Sequence, residues 1–166
     1  YIQDDALPAS PEKALLLEEN ASSLRLEPLS GACASTVADE INGKTFLVRS
    51  GTSDEVSGFE SFTLRFDRTS SGQQTGTLSF LHRQRPCSIQ FGLGNMQTGT
   101  FPLYDQRYTA SGAWLSDGTL YIMAHVIDAY VGSVHFQLSF GKDDLTVFMR
   151  KKEESLFQEF NGHLYC

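Results

Sequence analysis

Residues 107–150 read RYTASGAWLSDGTLYIMAHVIDAYVGSVHFQLSFGKDDLTVFMR. Four runs in this stretch, 108–115, 119–128, 133–140 and 145–150, are rich in aromatic and β-branched residues. Ser116-Asp117-Gly118, then 128–132 (DAYVG), then Gly141-Lys142-Asp143-Asp144 separate them. Short period-2 runs bounded by such clusters spell antiparallel strands joined by hairpins. In the third run Val134, Phe136, Leu138 and Phe140 alternate with Ser133, His135, Gln137 and Ser139. Strict alternation of this kind places one face of the strand in a core and the other in water.

Working outward, the same alternation recurs upstream. Phe62, Leu64 and Phe66 alternate with Ser61, Thr63 and Arg65 in 58–67. Runs 75–82 and 88–93 place Leu78 and Phe80, then Ile89, Phe91 and Leu93, on the inner face, and a less regular run covers 98–104. The entry Asn42-Gly43-Lys44-Thr45-Phe46 is echoed by Asn161-Gly162-His163-Leu164-Tyr165 at the other end. First and last strands with matching turns imply a sheet that closes on itself. The expected fold is therefore all-β, a single antiparallel up-and-down (lipocalin-like) barrel of about eight strands. A two-sheet sandwich is the alternative. The inward phenylalanines (Phe62, Phe66, Phe80, Phe91, Phe136, Phe140) favour a filled barrel over a hollow carrier. A cavity of at least ~300 Å³ would reverse that preference.

Ahead of the barrel, Ser10-Pro11-Glu12 opens a helix with an N-cap residue, a proline at the first helical position and an acid in the first turn. Ala14, Leu17, Ala21 and Leu24 recur at helical spacing, widened by Leu15 and Leu16, and Pro28 stops the run. The expected organisation is a linker over 1–40 with a helix about 11–26, then a barrel domain over 41–166. So leucine-rich a helix needs cover, and partial docking on the barrel is expected. Residues 151–160 are expected to add one or two helical turns.

A chain of 166 residues can bury a sizeable single core. A net charge of −7 argues against nucleic acid or an anionic membrane as the main partner. There is no run of 18 apolar residues, hence no expected membrane-spanning helix. The start at Tyr1 and the linker-like opening lead us to expect a piece of a longer protein, with any targeting signal upstream and the compartment open. Cys33, Cys87 and Cys166 have neither a disulfide-framework nor a zinc-site spacing.

The candidate chemistry is sparse. Ser10-Pro11-Glu12-Lys13 matches S-x-x-K, the nucleophile-bearing motif of penicillin-recognising enzymes, but the partner motifs are missing and a helix start explains the same residues. Gly43-Lys44-Thr45 ends like a phosphate loop, yet Ala38 stands where its first glycine belongs. His82, His125, His135 and His163 fall on separate strands, so no metal ligand set is expected, and no cofactor. Trp114, the single tryptophan, precedes a tight turn, where core packing at a barrel end is expected and ligand lining is the lesser alternative. A hydrolase built on this chain alone would need a convergent Ser/His/acid constellation that the sequence does not display.

Two segments carry a resemblance. Ala6-Leu7-Pro8-Ala9-Ser10-Pro11-Glu12, the leucine-rich helix and Ala38-Asp39-Glu40-Ile41-Asn42-Gly43-Lys44-Thr45-Phe46 form the first. Ala110-Ser111-Gly112-Ala113-Trp114 followed by Asp117-Gly118-Thr119-Leu120 form the second. Together they resemble the C-terminal lipocalin-like barrel of bacterial β-lactamase-related, penicillin-binding-protein-like serine hydrolases. The resemblance implies that the catalytic residues belong to an upstream domain, so none is assigned here. It implies a non-catalytic accessory barrel whose partner is the N-terminal catalytic domain of the same polypeptide, with a homo-oligomer as a further option. The loops at 50–57, 68–74 and 94–106 would be presented to that partner. Tyr104 and Arg107 are the first candidates there, because an arginine can pair with a substrate carboxylate. An autonomous lipocalin-like barrel that binds a small molecule or peptide is the alternative.

Overall fold

The computed structural model describes residues 10–53, 56–68, 74–153 and 155–166. In chain order its elements are α1 (Pro11–Ser23), α2 (Val37–Ile41), β1 (Thr45–Leu47), β2 (Ser50–Gly51), β3 (Phe59–Arg68), β4 (Gln74–His82), β5 (Arg85–Leu93), β6 (Gln97–Phe101), β7 (Gln106–Ser116), β8 (Thr119–Ile127), β9 (Val131–Phe140), β10 (Leu145–Lys151), a 3₁₀ turn (Gln158–Phe160) and β11 (Gly162–Tyr165).

The protein is mostly β, as the alternation implies. β7, β8, β9 and β10 form an antiparallel meander in which Ile122, Phe136 and Met149 stand directly opposite one another. All three are fully buried, as is the parallel row Leu64, Leu78 and Ile89 across β3, β4 and β5. Each such side chain contributes roughly 1.5–3 kcal/mol of hydrophobic burial. Together the two halves make one curled, barrel-like sheet in the order β1-β3-β4-β5-β7-β8-β9-β10-β11-β2. Its two ends fall on one kinked segment, 45–51. There β1 pairs with β3, β2 pairs with β11, and the Val48 and Arg49 amides turn to opposite neighbours, Glu60 and Tyr165.

Two features depart from a plain meander of about eight strands. The described residues form eleven strand segments, and β5 meets β7 in parallel over Gly92↔Ser111 and Leu93↔Gly112. The reason lies in β6, a hairpin arm that pairs with 106–110 of β7 and occupies the edge β5 would otherwise line. Tyr108 spans the resulting gap. Its hydroxyl accepts from the Gln90 N–H at 2.7 Å and donates to the Gln90 carbonyl at 3.1 Å, so this β5 backbone keeps its bonds. Above the same seam Phe91 lies between Gly76 on β4 and Gly112 on β7, whose Cβ atoms would stand 2.2 and 2.7 Å from its ring. Only glycine lets the backbone approach a buried ring that closely.

The interior is filled. At one end the 3₁₀ turn drives Phe160 between Phe59, Phe80, Phe101 and Phe136, with ring centroids 5.4–6.1 Å apart. At the other end the short helix α2 seats Ile41, which is buried, beside Phe46. α2 falls in a stretch read as linker. The chain before it also lies along β7: Ala32 exchanges both backbone hydrogen bonds with Trp114, and the Leu29 N–H donates to Ser111 Oγ at 2.9 Å.

The first helix behaves differently from expectation. α1 begins at Pro11, but Ser10 makes no side-chain cap bond, and the helix stops at Ser23. It buries no residue, and Leu15, Leu16, Leu17, Leu24 and Leu26 are all exposed. Partial docking on the barrel is therefore not what the structure shows. Leucine spacing specifies an apolar stripe, but a stripe does not name its partner, and the core of the sheet is already filled by its own side chains.

Candidate functional site

The three residues singled out from the sequence do not converge. β7 runs from one end of the barrel-like sheet to the other, and Arg107 and Trp114 are seven positions apart on it, about 23 Å along the strand. Arg107 is exposed and pairs with Asp128: Nε and the backbone N–H both donate to Oδ2 at 3.2 Å. Those bonds hold the Asp128 carboxyl below its usual range. Tyr104, in the turn between β6 and β7, is a lock for the 3₁₀ end. Its hydroxyl donates to Glu159 Oε2 and accepts from the Phe157 N–H, both at 2.9 Å. Burial, then the bond to Glu159, pushes its pKa up to about 12.

Phe157 explains why that lock matters, because it is a fully buried, non-glycine residue at φ +59°. Left-handed backbone at such a residue persists only when its surroundings enforce it. Tyr104→Phe removes the acceptor for the Phe157 N–H and a donor to Glu159. The expected cost is about 1–3 kcal/mol. It should be read as a lower urea midpoint with an unchanged m-value, together with faster hydrogen exchange at the Phe157 amide.

Trp114 lies at the α2 end and is 3% exposed, as core packing requires. It also lines a pocket of about 210 Å³ with Phe66, Leu93, Asn42, Asp39 and Asp67. The Phe66 and Trp114 rings are 5.8 Å apart at 36° and form its aromatic wall. Asn42 is held in place by accepting the Phe66 N–H at 3.0 Å. The Trp114 indole N–H is buried and has no acceptor among the described residues. This volume is below the size expected of a drug-sized ligand site and suits a small group. Three hollows are larger: one of about 480 Å³ across the outer face of β3, β4 and β5, one of about 390 Å³ between 48–59 and Leu164, and one of about 360 Å³ beside α2, Phe46 and Phe140.

One constellation escaped the sequence reading. On the outer face of β8 and β9, Ser133 Oγ lies 2.9 Å from His135 Nε2, and the Tyr121 hydroxyl bonds His135 Nδ1. This is the order nucleophile, base, orienter. Its electrostatics oppose that chemistry. Burial, then Lys152, His125 and Arg150, lower the His135 pKa to about 4, which makes it a weak base. Both edges of β9 are paired, with β8 and with β10, so its backbone N–H groups are committed to the ladder and leave no oxyanion donors. The group serves instead as a hydrogen-bonded clasp on a face where Ser133 and His135 are unexpectedly buried. The only signal in the sequence was Ser133-x-His135 on one polar face. Tyr121 joins them diagonally, through a register that pairs Met123 with His135 and Tyr121 with Gln137.

His125 stands opposite Ser133 across β8 and β9, while the other two histidines lie apart from this group. His82 is buried against Phe59, with centroids 4.8 Å apart and its Nε2 unpartnered among the described residues, and His163 stacks on Phe148 at 4.4 Å. Among the described residues no group of three His, Cys, Asp or Glu side chains is placed to hold a metal ion. No helix of the described residues is long and apolar enough to cross a membrane. Of the loops singled out, residues 54–55 and 69–73 lie outside the described residues, while 94–106 is largely the β6 arm and its turn. Set against models of known protein families the chain matches none, and no curated protein matches it.

Proposed function

We propose that this chain is a non-catalytic accessory domain of a β-lactamase-related serine hydrolase, built as a closed, lipocalin-like barrel. The observation that carries the reading is α1, a leucine-bearing helix that buries nothing on its own barrel. Leu15, Leu16 and Leu17 on one segment form an apolar surface of the kind a neighbouring domain covers. The resemblance at Ile41-Asn42-Gly43-Lys44-Thr45-Phe46 and Ala110-Ser111-Gly112-Ala113-Trp114 supplies the identity of that neighbour, a catalytic domain on the same polypeptide. The role of the barrel is geometric: a filled, rigid scaffold holds loops against another domain.

The test is activity-based labelling with a fluorescent penicillin and a fluorophosphonate, on this chain and on a longer chain that includes the upstream domain. Labelling confined to the longer chain is the expected result. A label on this chain that Ser133→Ala removes would overturn the reading and make the Ser133–His135–Tyr121 group an active site.

The second reading, a barrel that binds a small molecule, is favoured by one observation, the pocket beside Trp114. The filled core moves any such ligand to the barrel end.

A further inference from the structure

The hollow of about 360 Å³ lies between α2 and the turn that joins β9 to β10, and it falls within the size range of ligand clefts. Its floor is apolar. Val37 and Ile41 come from α2, and the Phe46 and Phe140 rings, 6.0 Å apart at 54°, come from β1 and β9. Ile41 and Phe46 are buried, but Val37 and Phe140 are only half-buried, so part of this floor still meets solvent. Two exposed lysines stand at the mouth. The Lys44 N–H donates to the Ile41 carbonyl at 2.9 Å as the chain leaves α2, and the Lys44 ammonium comes to 5.1 Å from the Phe46 ring centroid, a cation–π distance. Lys142 reaches the same hollow from the other side, on a turn closed by the Gly141 N–H on the Asp144 carbonyl at 3.0 Å. Neither lysine has an ion-pair partner among the described residues. Glu40 is the one acid in the lining; the Asp144 carboxylate lies against Gly141 but is not part of it. On a chain of net charge −7 this hollow is therefore inverted in sign. An anion with an apolar body gains twice there, by covering the floor and by pairing with cations beside a low-dielectric wall.

We propose that this hollow binds a small amphipathic carboxylate, with its apolar body on Val37, Ile41, Phe46 and Phe140 and its carboxylate between Lys44 and Lys142. The proposal is independent of the accessory role and of the pocket beside Trp114, because it concerns other residues of this chain alone. The same chemistry occurs in a free acid and at the C-terminus of a peptide that ends in an apolar residue.

The chain is titrated with octanoate, below the concentration at which it forms micelles and at constant ionic strength, while its backbone amides are followed by NMR. The expected result is a saturable set of shifts centred on Val37, Glu40, Lys44 and Gly141. Octan-1-ol, which lacks the charge, and acetate, which lacks the apolar body, should each bind at least about tenfold more weakly. The double variant Lys44→Gln, Lys142→Gln should weaken octanoate about tenfold, whereas Glu40→Gln, which removes the like charge, should tighten it about threefold. All three side chains are exposed, so folding is not at stake, and circular dichroism should be unchanged. Shifts with an acetylated dipeptide ending in leucine, but not with octanoate, support the proposal and assign the carboxylate to a peptide C-terminus. Octan-1-ol bound as tightly as octanoate, undiminished binding by the double variant, or shifts that centre elsewhere or never saturate would overturn it.

Discussion

Phe160→Ala should destabilise the protein by about 3–5 kcal/mol and turn a filled barrel into a hollow one. The ring of Phe160 is fully buried and sits against Phe59, Phe80, Phe101 and Phe136, which come from four different strands. Removing it deletes the transfer energy of a benzyl group. It also leaves a void that these neighbours, fixed on paired strands, can close only in part. Phe160→Leu keeps most of the volume and should cost much less. Urea unfolding of the two variants checks the magnitudes. The same substitution tests whether packing is what keeps this barrel from being a carrier. An apolar cavity of benzene size stays dry and takes up benzene or xenon. The alanine variant should therefore be stabilised by saturating benzene while the parent chain is not. A parent chain stabilised just as much would show that the interior was never filled.

Acidification is the second large effect. The folded pKa of His135 lies at about 4, below its ordinary 6.5, because burial disfavours the imidazolium and Lys152, His125 and Arg150 repel it. His125 and His82 are lowered in the same direction, both chiefly by burial. A group whose pKa is depressed on folding leaves the unfolded chain holding more protons between the two values. The stabilisation is complete above pH 6.5, is lost progressively as pH falls toward 4, and is constant again below that. For His135 alone the loss approaches about 3 kcal/mol. Urea midpoints should fall between pH 7 and pH 5, before most carboxylates protonate. His135→Gln, which keeps a polar side chain near Ser133 and Tyr121 but cannot take up a proton, should flatten most of that slope. A slope unchanged in the variant would mean that His135 is not the group responsible.

The imidazole also shows where reading a sequence stops. Phase alone put His135 on a polar face, and it is on that face, yet it is 6% exposed. Its cover comes from neighbours that only register can supply: Met123 and Arg150 opposite it, and Tyr121 on the diagonal. Alternation is a property of one strand, whereas a clasp between two strands requires knowing which residue faces which. The Trp114 pocket is similar. Its lining is drawn from α2, β3, β4, β5 and β7 and from residues just before and after α2, so no window of sequence contains it.

What the sequence by itself determined is the long strands and the part of the core that they carry. Val134, Phe136 and Leu138, like Leu64, Leu78, Ile89 and Phe91, are buried as their alternation required. The physical reason is that pleating sends neighbouring side chains to opposite faces, so a two-residue period is legible locally. The helix at Pro11–Ser23 was legible for the same kind of reason, through its proline and its leucine spacing. Tertiary structure alone decided the rest. It set β6 and Tyr108 into the seam beside β5, placed both ends of the strand order on 45–51, folded α2 over one end, and left α1 without cover. Those outcomes depend on which edges and surfaces are already occupied when an element arrives, a competition between distant segments that no local pattern encodes.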